Sequence, residues 1–588
     1  MLGETVEVRG WTALVSGPVV SVMARLGDSP ELALQAGLRR EDVAAAFPEW
    51  PGAITSGFAG VLRADDRRHG DHVLTVVAET ASGQRHGWQR TVVTQDIDEA
   101  YRLWLARLDA SARIVPDQAG PRIEWIVWND TASERALADA TANSWAAAGA
   151  GEWHVHVWPP LEAPSSRSGE PGNAAQYVGL IRAGDQPATG LRAALIAALA
   201  STERAPDVVY IDHDHLDGFG RRCDPVLKPG WSRWLVDHPE VAGRAWLLNA
   251  THLGLGGLVE IARRWAQVGP SFPADLLPDS PMACHVPWPL ITARSHPAVA
   301  ARTPAAPREI AGVSVVLPSR IGDPAMLQRC LDGLRTRTRG VECEIIVVLN
   351  NLRNRTIDEA KRLLAPWAVR ILHAQGSFNW SRLNNEGAVT ATRERLLFLN
   401  DDVEPISDGW LLAMLGLLER PAIGAVGAVL RYPDGQVQHA GIHVHGEQEL
   451  HCRHRFRHCS GHEPRVRRWL DADRIQTAVT GACLLTTRDS FDRVGGFDVE
   501  LPLVFNDVDF CLRLRQYGLF SAVAARAELL HHEGWSRAGL AEDHDRRLFC
   551  QRWAGQMPSC DEFGHPLLQP DRDDWMFDQR RTDLPVRP

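Results

Sequence analysis

Two short polar clusters in the C-terminal half of the chain carry side chains that could do chemistry. Asn400, Asp401 and Asp402 directly follow an apolar run in "LLFLNDD", and clustered oxygen ligands at a strand end suit Mg²⁺ or Mn²⁺. The same pattern is also common in turns. Asp507 lies in "FNDVDF", where it could accept a proton as a general base. The alternative is that Asn506 caps a helix whose first turn the acidic residues stabilise.

A third polar cluster, "HHE" at residues 531–533, follows another apolar run. Imidazole is a common metal ligand, although two histidines at a strand end more often belong to an ordinary loop. Each of the three clusters is weak evidence by itself. Their occurrence together, in this order, is informative.

The elements that must position these clusters follow an α/β pattern from about residue 313. Apolar strand-like runs such as "VSVVLPSR" and "EIIVVLNN" alternate with helix-like stretches, which implies a mainly parallel sheet. Ligands of such sheets bind outside the carboxyl ends of the strands. The polar or turn-forming residues at those ends are Pro318, Ser319, Arg320, Asn350, Asn351, Asn400, Asp401 and Asp402.

The rest of the chain divides by pattern. Short alternating runs near the N-terminus are typical of an antiparallel β-sandwich, and a first α/β pattern precedes the one just described. The predicted fold is therefore multidomain, an all-β sandwich followed by two α/β (Rossmann-like) units. The predicted boundaries are 1–95 for the sandwich, 96–120 for a helical connector, 121–294 for the first α/β unit, 295–312 for an Ala- and Pro-rich linker, 313–560 for the second α/β unit and 561–588 for a C-terminal tail.

Composition excludes some classes of protein. The net charge of -10 over 588 residues argues against a nucleic-acid-binding protein. Ten cysteines without a repeated short spacing fit a reducing cytoplasm. We see no secretory signal at the N-terminus, and Glu419, Arg420 and Pro421 interrupt the best apolar stretch. We expect a soluble cytoplasmic protein, with peripheral contact at the inner face of the membrane left open.

The quoted motifs, together with "FNWSRLNNEGA", "GQVQHAGIHVHG", "TGACLLTTRDSFDRVGGFD" and "HHEGWSRAG", occur in family order over residues 313–539. With them the chain resembles the family 2 glycosyltransferases, in particular the rhamnosyltransferase-like bacterial enzymes of O-antigen and surface-polysaccharide assembly. The resemblance implies a GT-A fold for the α/β units. It also implies inverting transfer of a sugar from a UDP-, dTDP- or GDP-linked donor to a glycan or polyprenyl-diphosphate-linked acceptor, with Mn²⁺ or Mg²⁺.

Roles follow from the resemblance residue by residue. "NDD" looks like the metal-binding DxD motif, with Asn400 in its first position, Asp401 between and Asp402 in its last. Asp507 matches the catalytic base, and Asn506 stands where many relatives carry Glu. His532 matches the histidine that completes the metal and diphosphate site, with His531 as the neighbouring alternative.

The resemblance also assigns binding positions. Asn379, Ser381, Asn384 and Asn385 would lie near the nucleotide, or else be ordinary polar residues of a first helical turn. Relatives often have Asp where this chain has Leu349 followed by two asparagines, although an amide can still hydrogen-bond a pyrimidine edge. The positions beneath the donor sugar and acceptor are Thr480, Gly481 and Ala482, and Gly481 could equally be a turn glycine.

The first α/β unit resembles a degenerate copy of the transferase. Its DxD position holds Arg182, Ala183 and Gly184, with Asp185 alone left acidic, and a cation there would repel a metal ion. "DHDHLD" at 212–217 could be read as a metal site, although it corresponds to a loop after a strand in relatives. We expect this unit to support or bind rather than to catalyse.

The segment 451–468 leaves three readings open. It combines arginines with Cys452, His454, His458, Cys459 and His462, and could be a zinc site, a basic flap over an acceptor or membrane, or a solvated loop. For the whole chain the main rival function is a non-catalytic glycan-binding or scaffold protein, which the departures at Leu349 and Asn400 keep open. A nucleotidyltransferase is a more distant alternative.

Overall fold

The structure of the protein is a computed structural model. It describes residues 5–11, 19–27, 29–38, 43, 55–63, 70–94, 101–106, 120–128, 134–149, 152–158, 176–231, 245–250, 277–278, 281–294, 312–352, 356–446, 450–461, 463–532, 543–558 and 561–569. The chain forms two units. One comprises Met1–Leu103 with His458–Glu463, and the other comprises Trp104–Arg457 with Pro464–Pro588.

The N-terminal unit is built from six strands that pair antiparallel in the order β1-β4-β3-β2-β5-β6. They are β1 (Thr5–Trp11), β2 (Val19–Leu26), β3 (Leu32–Leu38), β4 (Gly57–Arg63), β5 (Gly70–Thr80) and β6 (Arg85–Thr94). Val22, Ala24 and Leu26 are buried while the residues between them are not, because successive side chains of a strand point to opposite faces. The all-β character is as expected. The described strands follow one hydrogen-bonded path, so the sandwich stays a prediction.

The first α/β sheet of the second unit follows the predicted alternation of strands and helices. Its elements are β7 (Ile123–Trp128), α1 (Arg135–Ala148), β8 (Trp153–Trp158), β9 (Tyr177–Arg182), β10 (Gln186–Pro187), α2 (Leu191–Ala200), β11 (Val208–Leu216), β12 (Arg222–Val226), β13 (Trp246–Asn249) and β14 (Ala283–Ala293). The order is β10-β14-β11-β13-β9-β7-β8, with β12 paired to β11. The sheet is mixed, because β13 runs antiparallel to both its neighbours. "DHDHLD", expected to be a loop, is mostly strand, since β11 continues through bulges to Leu216.

The second α/β sheet carries the polar clusters. Its first elements are β15 (Val313–Ser319), α3 (Pro324–Arg337), β16 (Cys343–Leu349), α4 (Ile357–Leu364), β17 (Val369–His373), α5 (Trp380–Thr390), β18 (Arg395–Leu399), β19 (Val403–Pro405) and α6 (Trp410–Leu418). The remaining elements of this part of the chain are β20 (Ile423–Arg431), β21 (Val437–His439), β22 (Ile442–His445), β23 (His451–His454), α7 (Pro464–Leu470), β24 (Arg474–Gln476), β25 (Cys483–Thr487), α8 (Arg488–Arg493), α9 (Asn506–Gln516), β26 (Phe520–His531) and α10 (Asp543–Trp553). Strands β22 and β23 form a separate two-stranded sheet.

The order of the second sheet is β17-β16-β15-β18-β25-β20-β26-β19, with β21 paired to β20 and β24 to β26. Strands β15 to β18 are mutually parallel, as predicted, and β25 then runs antiparallel to β18. Strands β15 and β18 are buried almost throughout, which explains their continuous apolar sequences. Within the described ranges, no helix is long and apolar enough to cross a membrane.

Residues 561–569, at the start of the segment predicted to be a tail, make buried polar contacts with β22 and with β11. The buried Asp561 carboxylate accepts hydrogen bonds from the Val444 amide at 2.8 Å and pairs with the Arg455 guanidinium at 3.2 Å. His565 Nε2 lies 2.6 Å from Asp212 Oδ2 on β11. This short segment therefore joins the first α/β sheet to the two-stranded sheet of β22 and β23 through buried polar contacts.

Candidate active site

The carboxyl ends of β15 and β18 meet, as the parallel sheet predicts. Ser319, the last residue of β15, donates its hydroxyl hydrogen bond to Asp401 Oδ2 at 2.6 Å. Asp401 and Asp402 follow β18 directly, and Asp402 is only 7% exposed. Burial and, to a smaller extent, the neighbouring Asp402 charge raise the pKa of Asp401 to about 6, although the Ser319 hydrogen bond and the Arg320 charge both act to lower it. Two adjacent carboxyls thus lie in a confined, low-dielectric position.

Asn400 is fixed by two hydrogen bonds. Its backbone N–H donates to the Ala482 carbonyl at 3.0 Å. Its side-chain Oδ1 accepts the indole N–H of Trp380 at 3.0 Å. Trp380 lies in the quoted motif "FNWSRLNNEG" but was not among the residues singled out from the sequence.

The structure distinguishes the two histidines at the end of β26. His531 pairs with Val403 of β19, and its Nε2 lies 3.2 Å from Asp402 Oδ1. The His532 amide donates to the Asp402 carbonyl at 3.0 Å, but its imidazole Nε2 lies 3.3 Å from Glu404 Oε2. The imidazole that faces the Asp402 carboxylate is therefore that of His531, which the resemblance gave only as the alternative.

Asp507 lies in the first turn of α9 and is half-buried. Its Oδ2 accepts the Gly481 backbone N–H at 2.8 Å, and its Oδ1 accepts the Val508 N–H at 2.8 Å. The prediction that Asn506 caps this helix is wrong. The helix begins at Asn506 itself and is preceded by Phe505 at φ 62°, so a left-handed residue rather than a side chain sets the start.

The segment Thr480–Ala482 connects the two clusters. Gly481 holds Asp507 through its N–H, and Ala482 holds Asn400 through its carbonyl. A Cβ atom on Gly481 would lie 2.7 Å from Trp380 Cη2 and 2.9 Å from Cζ2, a separation that real Cβ atoms do not tolerate. Glycine is thus required here by the close approach of the indole ring.

The candidate nucleotide-binding side chains have local partners. Asn379 Nδ2 donates to the Val499 carbonyl at 2.8 Å, Ser381 Oγ to Leu501 at 2.7 Å and Asn385 Nδ2 to Phe497 at 2.7 Å. These bonds tie the start of α5 to the loop that leads into α9. The nucleotide-binding role of the three side chains stays a prediction.

The residues after β15 and β16 differ in exposure. Pro318 is buried within β15, Arg320 is half-buried beside Asp401, and Asn351 is exposed at φ 48°. Asn350 is buried and donates from Nδ2 to the carbonyls of Ala374 and Gly376, each at 3.1 Å. Leu349 is fully buried and faces the core, so the amides after it are the polar groups of this strand end.

The other acidic residue of α9 has a structural surrounding. Asp509 is fully buried and accepts from Arg513 Nε at 2.7 Å, from Arg552 at 2.6 Å and from the Trp553 indole N–H at 3.0 Å. These contacts give Asp509 a structural role in holding α9 to α10. Asp507 is therefore the carboxylate of this helix that stays near the Asn400 to Asp402 cluster.

In the first sheet, Asp185 has a turn-holding role. Its carboxylate accepts the backbone N–H of Arg182 at 3.0 Å and of Arg294 at 3.3 Å. It is 1% exposed. These contacts fix the ends of β9 and β14, and the expectation that this unit is not catalytic stays a prediction.

Elsewhere in the second unit, three side chains of metal-binding types form a buried cluster. Asp212, His285 and His565 place their donor atoms within 4.8 Å of one another. His285 Nε2 lies 2.9 Å from Asp212 Oδ1, and His565 Nδ1 accepts the Leu567 N–H at 3.1 Å. A neutral His565 therefore carries its proton on Nε2 and donates it to Asp212. His565 Nε2 would have to lose this proton to bind a metal ion. The contacts therefore favour a cluster of hydrogen-bonded side chains over a metal site.

The His- and Cys-rich segment is partly ordered strand rather than an open loop. His451–His454 form β23, which pairs with β22, and Arg455 is fully buried. His462 lies outside the described residues. Within the described part of this segment, no three His, Cys, Asp or Glu donor atoms come within 4.8 Å of one another.

Comparison with known sequences identifies relatives of the second α/β part. Residues 314–493 match the model of the family described as glycosyl transferase family 2. The chain is 30% identical over 428 residues to the O-antigen biosynthesis protein RfbC of Myxococcus xanthus, covering 64% of this chain and 32% of that protein. It is 31% identical over 147 residues to the N-acetylglucosaminyl-diphospho-decaprenol L-rhamnosyltransferase of Mycobacterium tuberculosis, covering 24% and 48%. The chain spans less than half the length of each of these curated relatives.

Among solved structures, the chain is similar to the mannosyltransferase PcManGT from Pyrobaculum calidifontis, in complex with GDP-Man and Mn²⁺. The identity is 16%, the TM-score is 0.30, and 42% of this chain and 62% of that chain are covered. A TM-score of this size does not establish a shared fold.

Proposed function

We propose that this chain, whose residues 314–493 form a family 2 glycosyltransferase domain, is a metal-dependent inverting enzyme of cell-surface polysaccharide assembly. It would move a sugar from a nucleotide-diphosphate sugar to a hydroxyl of a growing polysaccharide or lipid-linked glycan. One observation carries the proposal. The turn at Gly481 and Ala482 holds Asp507 at 2.8 Å and the Asn400 amide at 3.0 Å, so a base candidate and a strand-end acidic cluster are fixed to one segment.

Asp507 would be the general base. An inverting transfer needs a group that takes the proton of the acceptor hydroxyl as the oxygen attacks the anomeric carbon, and such a group typically contributes about 10² to 10⁴-fold. The Gly481 N–H and the start of α9 fix the orientation of the carboxylate. Half-burial leaves it accessible to an acceptor.

Asp402 and His531, with Asp401 beside them, would hold Mn²⁺ or Mg²⁺. Carboxylate oxygens suit both ions, and an imidazole is a ligand that Mn²⁺ accepts readily. The fit is supported by the closeness of two potential ligand atoms, His531 Nε2 and Asp402 Oδ1, which lie 3.2 Å apart. When bound, the ion supplies a Lewis acid that stabilises the departing diphosphate.

The names of two relatives support the acceptor class. One relative is named for O-antigen biosynthesis, and another is named as a rhamnosyltransferase acting on a decaprenol-linked diphospho-sugar. We propose a polyprenyl-diphosphate-linked glycan as acceptor for this chain, at the cytoplasmic face of the membrane. The first α/β sheet and the N-terminal unit would be accessory.

The rival function is a non-catalytic glycan-binding protein of the same fold. A panel of UDP-, dTDP- and GDP-linked sugars, incubated with Mn²⁺ or Mg²⁺ and a polyprenyl-diphosphate-linked acceptor, separates the two by the release of nucleoside diphosphate. The proposal expects release with one nucleotide class and dependence on acceptor. Glycan binding without release from any donor would favour the rival.

A further inference from the structure

The position of Asn400 at the start of "NDD" has a consequence for how the donor is held. Trp380 Nε1–H is a hydrogen-bond donor only, and it lies 3.0 Å from the Asn400 side chain. The atom facing it must therefore be the amide oxygen, which fixes the otherwise ambiguous orientation of the amide. The Nδ2 amino group then points away from the indole ring.

The Trp380 ring is itself held firmly. Its backbone N–H donates to the Pro502 carbonyl at 2.8 Å, its ring packs edge-on against Phe497 with centroids 4.8 Å apart, and its outer edge closes on Gly481. A ring packed on two sides, on a backbone anchored at Pro502, presents its N–H in one direction. The amide of Asn400 has correspondingly little freedom to turn over.

Nδ2 of Asn400 makes no hydrogen bond to any residue within the described ranges. Asn400 is half-buried and lies at the strand end beside Asp401 and Asp402. The neutral amide also spares this position a third negative charge, which would repel an anionic ligand. The Asn400 Nδ2 amino group is therefore a fixed hydrogen-bond donor at the edge of an acidic cluster.

We infer that Asn400 donates a hydrogen bond from Nδ2 to an oxygen of the donor's nucleoside diphosphate, and is not a metal ligand. The inference rests on the proposed function and departs from the resemblance, which places Asn400 in the metal-binding motif. The metal would then be held without Asn400, by Asp402, Asp401 and His531. Trp380 is a positioning residue that acts through Asn400.

The test is the binding of UDP, dTDP and GDP to the full chain, measured by calorimetry first with EDTA and then with Mg²⁺. The nucleotide that binds wild type most tightly is carried to the variants Asn400→Ala, Asn400→Asp, Trp380→Phe and the double variant Asn400→Ala/Trp380→Phe. Thermal melts check that each variant is folded. Mn²⁺ binding without nucleotide is measured by electron paramagnetic resonance, with Asp402→Ala as the comparison.

Asn400→Ala is expected to weaken metal-free nucleotide binding about tenfold, equivalent to about 1.4 kcal/mol. Asn400→Asp is expected to weaken it more, because a carboxylate replaces the donor and repels the diphosphate. Trp380→Phe should weaken binding several-fold when Asn400 is present and cause no further loss when it is Ala. Mn²⁺ affinity should be unchanged in Asn400→Ala and strongly reduced in Asp402→Ala.

Three results would overturn the inference. Unchanged nucleotide affinity in Asn400→Ala would show that Asn400 makes no hydrogen bond to the diphosphate. A loss of Mn²⁺ affinity in Asn400→Ala as large as in Asp402→Ala would make Asn400 a metal ligand. Equal effects of Trp380→Phe with and without Asn400 would mean that the indole does not act through the amide. Absence of nucleotide binding by wild type, with and without Mg²⁺, would instead defeat the proposed function together with this inference.

Discussion

A single methyl group at Gly481 should damage the active site while leaving the fold largely intact. In Gly481→Ala the new Cβ would lie 2.7 Å and 2.9 Å from two atoms of the Trp380 ring and 3.3 Å from Asp507 Cβ. Overpacking of this kind typically costs about 1–3 kcal/mol. Because the ring is packed on its other side by Phe497, either the indole or the 480–482 segment must move.

Either movement disturbs a group that the proposed mechanism uses. A shifted indole breaks the 3.0 Å contact with Asn400, and a shifted turn breaks the 2.8 Å contact that orients Asp507. A displacement of about 1 Å can cost about 10²-fold in rate. We therefore expect kcat/KM to fall by about 10 to 100-fold, with a melting temperature only a few degrees below that of wild type.

The assay is nucleoside diphosphate release with the donor found in the nucleotide-sugar panel, alongside a thermal melt. Gly218→Ala is the matched control, because a Cβ at Gly218 has no heavy atom within 4 Å. Trp380→Phe lacks the two clashing ring atoms. The double variant Gly481→Ala/Trp380→Phe should therefore recover part of the packing lost in Gly481→Ala. Wild-type kcat/KM in Gly481→Ala would refute the role of this close approach.

Further predictions concern the buried cluster and the metal. His565→Ala should lower the free energy of unfolding by about 3 kcal/mol, because it leaves the buried Asp212 carboxylate with one partner fewer. A loss below about 0.5 kcal/mol in denaturant titration would contradict a stabilising role of the contact between His565 and Asp212. Burial lowers the pKa of His285 from 6.5 to about 4, so the unfolded chain binds a proton first as pH falls. Stability should drop between about pH 6.5 and 4 by at most ~1.4 kcal/mol per unit, and a flat profile in wild type, or an unchanged slope in His285→Gln, would contradict the assignment. EDTA should abolish sugar transfer and Mn²⁺ or Mg²⁺ restore it; transfer that persists in EDTA would argue against the metal.

Much of the second α/β sheet could be predicted from the sequence. Its strands β15 and β18 are continuous apolar runs because both faces are buried. The meeting of Ser319 with Asp401 followed from the rule that carboxyl ends of parallel strands share an edge. That edge carries the acidic cluster of the candidate site.

The finer geometry depended on tertiary contacts that a local pattern does not contain. Neighbouring strand residues face opposite ways, so the choice between His531 and His532 was set by the pairing of β26 with β19. The start of α9 was missed because Phe505 adopts a left-handed conformation that is rare for an aromatic residue. The contact between Asp212 and His565 joins residues 353 positions apart, and no spacing rule connects them.

The most direct test of the proposed activity is the rate of sugar transfer by Asp507→Asn. The amide keeps the shape of the side chain and can still accept the Gly481 N–H, but it cannot take up the acceptor's proton. We predict that kcat falls by about 10² to 10⁴-fold while binding of the nucleotide sugar is retained. Full activity in Asp507→Asn would contradict the assignment of Asp507 as the base and with it the mechanism proposed for this chain.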